Sequence, residues 1–338
     1  MRVGFNPYKD QTLEQTGYIH QIIIPVCIPN KEGYFKDSFK ILKLCIESVF
    51  KTVHNKTFIT IVNNGSCTEV RDYLDELFAY KKIHEVIHTD NIGKLNAILK
   101  GLSGNNIELV TIADSDVMFL ENWQKETVTV FNNFPKAGVV GIVPQYRNFG
   151  HFCGNLLVEN FFSKKLTFSP VKNLLALKKF YISIGWGEYV ENECLEVTLT
   201  IENNSQIAVV GSGHFVATYK KEIFKEIVTY IGYKLGGDSE TYLDEIILKF
   251  GLWRLTTYDN YAYHMGNVHE KWMDETLHSF EKQDMSITSL TNKRNIKRES
   301  KIGFFIKNVL FIKFFNKRKY RRLFYKYKGM PKQMIKKY

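Results

Sequence analysis

The sequence predicts an α/β protein with a mostly parallel central sheet flanked by helices, followed by a basic helical tail. Between residues 20 and 116, short apolar runs typical of buried strands alternate with segments whose apolar residues recur at helical spacing. Strands that alternate with helices pair in parallel through right-handed crossovers. The charge is also divided, because residues 291–338 carry a net +16 whereas residues 1–290 carry a net −5.

The composition is that of a folded protein. Of the 338 residues, 44% are hydrophobic and 24% are charged, which excludes disorder for most of the chain. No apolar run reaches the roughly 18 residues that a membrane-spanning helix needs. Residues 1–16 lack the apolar core of a secretory signal, which favours a cytoplasmic location. The five cysteines are scattered and never form a Cys-x-x-Cys pair, which is typical of free thiols.

The first predicted unit is a strand, a helix and a second strand. Ile22–Ile28 is a nearly continuous apolar run and predicts a buried strand. Apolar residues recur at helical spacing from Phe39 to Phe50, and Thr57–Val62 is β-branched and apolar. Asn63-Asn64-Gly65 then predicts a turn.

The alternation continues through a second and a third helix. Ser66 and Glu69 fit a capping box, which predicts that a helix begins there. Val86-Ile87 predicts a brief strand, Leu95–Leu102 a helix and Ile107–Ala113 a strong strand. Because ligands of parallel sheets bind beyond the carboxyl ends of the strands, the polar residues that follow these strands are the first candidates for chemistry.

Asp114 and Asp116 directly follow the last of these strands. Two carboxylates one residue apart can supply oxygen ligands to a divalent ion that also holds a diphosphate. The alternative is a turn in which the carboxylates cap the next helix, and the tripeptide alone leaves both interpretations open.

The second half of the chain is less regular. Residues 142–210 show no clear period, and a short strand then leads into Gly211-Ser212-Gly213-His214. Residues 238–250 predict an acidic loop that enters an amphipathic helix. An ordinary turn and a solvated acidic helix start are the structural alternatives for these two segments.

The assembled order resembles the family 2 glycosyltransferases of the GT-A fold. The resemblance rests on the Ile-Pro-Val end of the first strand, on Val-Asn-Asn-Gly-Ser after the second, on Asn91-Ile-Gly93-Lys94-Leu-Asn96-Ala97 and on Ile-Ala-Asp114-Ser-Asp116. It implies a GT-A domain over residues 18–270, with a nucleotide half over about 18–141 and an acceptor half over about 142–270. Residues 271–338 would form the basic amphipathic helical region.

The resemblance also implies site residues. Those that would bind the donor nucleotide are Pro25, Val26, Asn63, Gly93, Lys94 and Asp114. Those that would hold Mn²⁺ or Mg²⁺ are Asp114, Asp116 and His264, with His269 as a substitute for His264. The family commonly has an acid at position 63; since the amide carbonyl of Asn63 can still accept a hydrogen bond from the base, a UDP-sugar is the favoured donor.

An inverting enzyme of this family needs a carboxylate base for the acceptor hydroxyl, while the metal ion offsets the charge of the departing diphosphate. Asp238 and Glu240 are the candidate bases, and Asp244 and Glu245 are the rival pair.

The glycine loop and two tryptophans are the remaining candidates. Gly211, Gly213 and His214 would support the bound sugars, because a backbone without side chains can approach a sugar closely. Trp186 and Trp253 would either stack on sugar faces or belong to the core.

The tail combines apolar and basic residues. In residues 301–315, Ile302, Phe305, Ile306 and Val309 share one helical face, and a run of cations follows. This pattern is typical of an interfacial helix on an anionic membrane and would suit a lipid-linked acceptor. A helix packed on the body and a nucleic-acid-binding segment are the alternatives.

The sequence therefore predicts an inverting, metal-dependent glycosyltransferase that acts in surface polysaccharide synthesis. It would move a sugar from a nucleotide-diphosphate donor to a glycan or lipid-linked saccharide, and it would lie on the inner face of the membrane. Two alternatives are a non-catalytic nucleic-acid or membrane-binding module and a sugar-phosphate nucleotidyltransferase. Ile28-Pro-Asn-Lys-Glu-Gly33 is a poor match to the basic glycine-rich loop of the latter.

Overall fold

The structure is a computed structural model that describes residues 4–13, 17–187, 192–225, 230–235, 241–281, 289–291 and 296–338. Its described strands, in chain order, are β1 His20–Val26, β2 Thr57–Asn64, β3 Glu85–Thr89, β4 Leu109–Ala113, β5 Val117–Phe119, β6 Ala137–Gly141, β7 Leu166–Pro170, β8 Val197–Asn203, β9 Gln206–Val210, β10 Val216–Lys220, β11 Trp253–Thr257 and β12 Ala262–His264. Its described helices are α1 Ser38–Thr52, α2 Thr68–Ala79, α3 Lys94–Leu102, α4 Trp123–Asn133, α5 Gly154–Asn160, α6 Leu174–Ser183, α7 Thr241–Leu248, α8 Lys271–His278, α9 Lys301–Phe304, α10 Phe311–Phe315, α11 Arg318–Tyr327 and α12 Lys332–Ile335.

Within the described residues, one ten-stranded sheet has the order β3-β2-β1-β4-β10-β6-β11-β9-β8-β7. The first four strands in this order are parallel to one another. β10 runs antiparallel between β4 and β6, and β9, β8 and β7 form an antiparallel extension. β5 and β12 pair separately. The predicted α/β class, with a central sheet flanked by helices, is confirmed.

β1 is buried on both faces, as its continuous apolar run predicts. Ile22 and Ile24 lie in the core that the sheet shares with α1 and α2, whereas Ile23 lies in the core shared with α3 and α7. Since successive side chains of a strand point to opposite faces, helices cover the parallel block from both sides. This double layer holds the carboxyl ends of β1, β2 and β4 in fixed positions.

The capping-box prediction at the start of α2 is wrong. The residue that precedes α2 is Cys67, and it makes no side-chain cap. The Ser66 hydroxyl oxygen instead accepts the Ile28 N–H at 3.0 Å and donates to the Val26 carbonyl at 3.3 Å. Ser66 therefore joins the segment after β2 to the end of β1, because the C-terminal ends of these two strands are neighbours in the parallel sheet.

The basic tail packs on the body of the protein along one side. α9 continues through a π-helical stretch, Phe305–Leu310, into α10. Within that stretch, Lys307 Nζ lies 2.9 Å from Glu159 Oε1 and 2.7 Å from Glu299 Oε2. A Cβ added at Gly154 would lie 2.5 Å from the Lys307 carbonyl oxygen, so the helix approaches α5 closely. The packed-helix alternative thus describes this side of the tail.

The opposite side of the tail is exposed. Ile302 is 74% exposed, and the other three residues of the predicted face are 45–54% exposed: Phe305, Ile306 and Val309. None of the described helices is both long enough and apolar enough to span a bilayer.

Candidate functional site

Three parallel strands end side by side at one edge of the sheet. Val26, at the end of β1, lies opposite Asn63 of β2, and β4 pairs with the other side of β1 and ends at Ala113. Asp114 follows, and its N–H donates to the Phe215 carbonyl at 2.8 Å. Polar groups from separate parts of the sequence therefore meet at this edge, as in other open α/β sheets.

Lys94, the first residue of α3, reaches Asp114. Its Nζ lies 2.7 Å from Asp114 Oδ1, and both side chains are partly buried. The positive end of the α3 dipole adds to this cationic environment. The pair places an ammonium group next to the strand ends, where a negatively charged ligand would meet it.

Gly93 precedes Lys94 and has a φ of +91°, a conformation that side-chain-bearing residues rarely adopt. A Cβ at this position would lie 2.5 Å from the Tyr233 carbonyl oxygen, and the Lys94 N–H donates to the Lys234 carbonyl at 2.9 Å. In the structure, the close neighbour of Gly93 is thus the backbone of residues 230–235.

Asn96 fixes this same segment. Its Oδ1 accepts the Ile231 N–H at 2.9 Å, and its Nδ2 donates to the Ile231 carbonyl at 2.8 Å and to the Ile92 carbonyl at 2.7 Å. The chain then continues into residues 236–240, so Asp238 and Glu240 lie outside the described residues. Asn96 belongs to the quoted sequence pattern, but nothing local in the sequence indicates that it holds residue 231.

Asp116 and His264 face each other at the start of the β5–β12 pair. Register places His264 opposite Val117, and the Met265 N–H donates to the Asp116 carbonyl at 2.8 Å. His264 Nε2 lies 3.3 Å from Asp116 Oδ2. The sequence prediction that these two residues share a site is therefore consistent with their positions.

Ser183 orients the His264 ring. Its hydroxyl donates to the Phe180 carbonyl at 2.7 Å and lies 2.9 Å from His264 Nδ1. Because the one hydroxyl proton is used on Phe180, Nδ1–H donates to the Ser183 oxygen. In the neutral form that would bind a metal, the lone pair is then on Nε2, the atom that faces Asp116, which is the arrangement that second-shell partners give metal-binding histidines.

The Asp116 carboxylate is only partly satisfied. Its Oδ1 is buried and has no hydrogen-bond partner among the described residues. Burial raises the pKa of Asp116 to about 6; the positive charges of His264 in its protonated form and of Lys94 lower this pKa, whereas Asp114 raises it further. A desolvated carboxylate oxygen beside an imidazole lone pair is a donor set that suits Mn²⁺ or another divalent ion.

The described residues contain no group of three or more His, Cys, Asp or Glu side chains that could by themselves hold a metal ion. Asp116 and His264 offer two ligands, while Asp114 is bound to Lys94. Such a site fits an ion that takes part of its coordination from substrate phosphates and water, as Mg²⁺ commonly does.

The residues predicted at the nucleotide base are buried among protein groups. Pro25 and Val26 lie inside β1. Asn63 is 3% exposed, its Oδ1 accepts the Ser66 N–H at 3.0 Å and its Nδ2 lies 2.9 Å from His88 Nδ1. The Asn63 carbonyl therefore already accepts one hydrogen bond from the protein.

The glycine loop packs against residues 145–148. Gly211 has a φ of +100°, and a Cβ there would lie 2.6 Å from the backbone of Asn148. A Cβ at Gly213 would lie 2.5 Å from Gln145 Nε2. Gly211 is thus required by neighbouring backbone, whereas at Gly213 the end of the Gln145 side chain could shift to admit a Cβ. His214 follows with its Nδ1 3.7 Å from Asp244 Oδ2.

Asp244 belongs to a buried ion pair beneath this loop. Its Oδ1 lies 2.6 Å from Arg254 Nη2, and the two side chains are 12% and 4% exposed. The same guanidinium donates to the Ser212 and His151 carbonyls. Asp244 is therefore committed to a structural pair, while its neighbour Glu245 is exposed.

Among the contacts of the described residues, none joins the other sequence candidates to Asp116. Both ring nitrogens of His269 have partners, since Nε2 lies 2.6 Å from Asp274 Oδ2 and Nδ1 lies 3.3 Å from Lys40 Nζ. Trp253 donates from Nε1 to Glu159 Oε2 at 2.9 Å. Trp186 is 58% exposed.

Comparison with known families identifies part of the chain. Residues 26–186, just under half of its length, match the family described as Glycosyl transferase family 2. The matched part includes Lys94, Asp114 and Asp116 as well as Ser183. The match confirms the resemblance from which the GT-A fold and glycosyltransfer were predicted.

Several solved structures are similar at low identity. S. aureus TarS 1-349 is 12% identical, with 78% of this chain and 70% of that chain covered and a TM-score of 0.44. The mannosyltransferase PcManGT from Pyrobaculum calidifontis, in complex with GDP-Man and Mn²⁺, is 12% identical, with 78% and 62% covered and a TM-score of 0.43. GalNAc-T7 with UDP, GalNAc and Mn²⁺ is 12% identical, with 76% and 45% covered and a TM-score of 0.46. No curated protein matches the chain in sequence.

Proposed function

We propose that the chain, a glycosyltransferase by the family 2 domain of its residues 26–186, moves a sugar from a nucleotide-diphosphate donor to a saccharide acceptor with the help of a divalent ion. The observation that carries the proposal is the Asp116 carboxylate. One of its oxygens is buried and has no hydrogen-bond partner in the part of the chain that the structure describes, and the other lies 3.3 Å from Nε2 of His264. A buried carboxylate oxygen without a hydrogen-bond partner lowers the stability of the fold, so its presence favours a site that binds a cation.

Asp116 and His264 would hold Mn²⁺ or Mg²⁺, and the imidazole favours Mn²⁺. When bound, the ion offsets the charge that develops on the leaving diphosphate. Lys94 contributes a second positive charge 2.7 Å from Asp114 and at the start of α3, where donor phosphates would be stabilised by the ammonium and by the helix dipole. Asp114 keeps that ammonium in place.

A donor panel tests this function. We expect Mn²⁺-dependent release of nucleoside diphosphate from one or a few nucleotide sugars, with UDP-sugars tested first, and loss of that release when the ion is chelated. The same protein incubated with a nucleoside triphosphate and a sugar 1-phosphate should form no nucleotide sugar. Formation of a nucleotide sugar in that second assay would instead support a nucleotidyltransferase.

We propose that Asp238 or Glu240 is the base that takes the proton of the acceptor hydroxyl. Asp244 is already paired with Arg254, and the segment that Asn96 holds leads directly to residues 236–240. If one of the two acids is the base, its amide variant, Asp238→Asn or Glu240→Gln, should lower kcat by about 10²-fold or more with little change in the donor KM. Steady-state kinetics of both variants measure this, with Glu202→Gln, at an exposed acid of β8, as the control. Two variants with wild-type kcat would reject the assignment, and a loss of kcat in Glu245→Gln would favour the rival acid.

We propose that the chain acts on an acceptor at an anionic membrane surface, such as a lipid-linked saccharide in surface polysaccharide synthesis. The exposed side of the tail supports this, because Ile302, Phe305 and Ile306 project among many lysines and arginines. Near an anionic surface each such cation contributes about 1 kcal/mol. Lysine side chains with exposed aromatic neighbours suit lipid headgroups and acyl chains together.

The tail proposal predicts salt-sensitive pelleting with phosphatidylglycerol-containing liposomes. Because the tail also contributes buried residues such as Phe324 to the core, its removal would damage the fold, and point variants are the better test. The double variant Ile302→Ser and Phe305→Ser should lower the bound fraction about tenfold, since it removes two insertable side chains. Leu175→Ser, at a residue that is 76% exposed on α6, is the matched control; equal pelleting of the double variant and the wild type would reject membrane docking.

A further inference from the structure

A cavity of about 400 Å³ is lined in part by His264, the residue whose Nε2 lies 3.3 Å from Asp116 Oδ2. α6 forms one wall through Lys179, Phe180 and Ser183, and residues 262–272 form the other. Ser183 and His264 are the hydrogen-bonded pair described above, so the cavity shares a wall with the candidate metal site. Its volume is within the range of small-ligand sites and is large enough for one or two sugar rings.

Two aromatic side chains form a corner in this cavity. The rings of Tyr263 and Trp272 have centroids 5.6 Å apart and stand at 83° to each other. Trp272 donates from Nε1 to Glu270 Oε2 at 2.6 Å, which fixes its ring. The C–H face of a pyranose packs on such an aromatic ring. Glu270 and Asn267 line the same cavity and can form hydrogen bonds with the hydroxyl groups of that sugar.

Lys179 brings a positive charge to the corner. Its Nζ lies 5.2 Å from the centroid of the Tyr263 ring and 5.4 Å from that of the Trp272 ring. Cation–π contacts of this kind hold an ammonium group in position without neutralising it, because the rings carry no formal charge. The cavity therefore combines an apolar stacking surface with a positioned cation.

We propose that this cavity binds the acceptor and that the acceptor is a saccharide with a phosphate or carboxylate group, which Lys179 recognises. The inference rests on the proposed function. Lys94 pairs with Asp114 at the strand ends where the donor phosphates are proposed to bind. His264 contacts Asp116 and also lines the cavity, which none of Lys94, Asp114 and Asp116 lines. A sugar in the cavity would therefore lie beside the proposed metal pair and outside the donor-phosphate site. There the acceptor oxygen bonds to the anomeric carbon, the bond from that carbon to the diphosphate breaks with its electron pair, and the hydroxyl proton passes to the carboxylate base.

Binding of simple sugars tests the cavity without any turnover. Glucose 6-phosphate and glucuronate, each compared with glucose, are titrated into the full chain with UDP and Mg²⁺ present to fill the donor side, and binding is followed by ligand-observed NMR. Both anionic sugars should bind more tightly than glucose. Lys179→Met should weaken their binding about tenfold and leave glucose unchanged, whereas Lys178→Met, one residue earlier on the same helix, should change neither.

Trp272→Ala should weaken the binding of all three sugars, because it removes the ring on which a sugar would stack. Equal binding of glucose and the anionic sugars, or unchanged binding in Lys179→Met, would overturn the inference. A wild-type chain that cleaves no nucleotide sugar would overturn the proposed function instead, and that failure is separate because the titration involves no donor sugar.

Discussion

Asp116→Asn is expected to lower the rate of sugar transfer by about 10³-fold. The substitution keeps the shape of the side chain and removes the negative charge that the divalent ion needs. Without the ion, the charge on the leaving diphosphate would be offset chiefly by Lys94, the cation that lies beside Asp114. Release of nucleoside diphosphate at saturating donor and Mn²⁺ measures the effect.

The same variant should be at least as stable as the wild type when no metal is present. Burial raises the pKa of Asp116 to about 6 in the folded state, above its ordinary value of 3.8. A carboxyl with a raised folded-state pKa lowers stability as the pH rises from the unfolded-state pKa to the folded-state pKa, because the unfolded state then releases the proton more readily than the folded state. For Asp116 this window runs from 3.8 to about 6, and the full loss is present above it. At pH 7.5, Asp116→Asn should thus gain about 1–3 kcal/mol in the free energy of unfolding, because the shift corresponds to about 3 kcal/mol and the buried amide of Asn keeps part of the desolvation cost.

The effect of Mn²⁺ on thermal stability shows whether Asp116 acts through the metal. Mn²⁺ should raise the Tm of the wild type but not that of Asp116→Asn, and it should raise the Tm of His264→Gln by less than that of the wild type. Asp274→Asn, at an acid that pairs with His269 outside the site, should change neither transfer nor the Mn²⁺ effect. Transfer within tenfold of the wild type in Asp116→Asn would contradict a metal-dependent mechanism at this position.

The parallel part of the fold could be predicted from the sequence because its signals are local. A strand such as β1, buried on both faces, reads as a continuous apolar run, and α1 shows its buried side by helical spacing. The position of the candidate donor site could then be predicted as well, since the carboxyl ends of neighbouring parallel strands lie at the same edge of the sheet. The same locality lets the sequence predict that Ile302 and Phe305 share one face of the tail, and both side chains are exposed in the structure.

The supporting contacts could not be predicted, because each joins residues far apart in the chain. Ser183 lies 81 residues from His264, and Asn96 lies 135 residues from Ile231. A serine or an asparagine in a helix has no pattern that reveals a distant partner. Ser66 shows that a local pattern can also mislead. Its spacing to Glu69 fits a helix cap, but its hydroxyl forms hydrogen bonds with Ile28 and Val26, which lie far away in sequence.

Arg254→Met is expected to lower the free energy of unfolding by about 3–5 kcal/mol, because it leaves the Asp244 carboxylate buried without its partner. Arg254 is 4% exposed and its guanidinium also satisfies the Ser212 carbonyl in the glycine loop. Urea unfolding measures the loss. Lys271→Met, which breaks the exposed pair with Glu275, is the matched control and should cost less than about 1 kcal/mol.

The double variant Arg254→Met and Asp244→Leu separates the cost of leaving the Asp244 charge unpaired from the role of Arg254 in positioning the glycine loop. With no buried charge left, it should recover more than half of the stability that Arg254→Met loses. If transfer stays low while stability returns, the ion pair also positions the loop Gly211–His214, because the Ser212 carbonyl has then lost its donor. A single-variant cost below about 1 kcal/mol would show that the carboxylate escapes to water, and Asp244 would again become a candidate base beside Glu245.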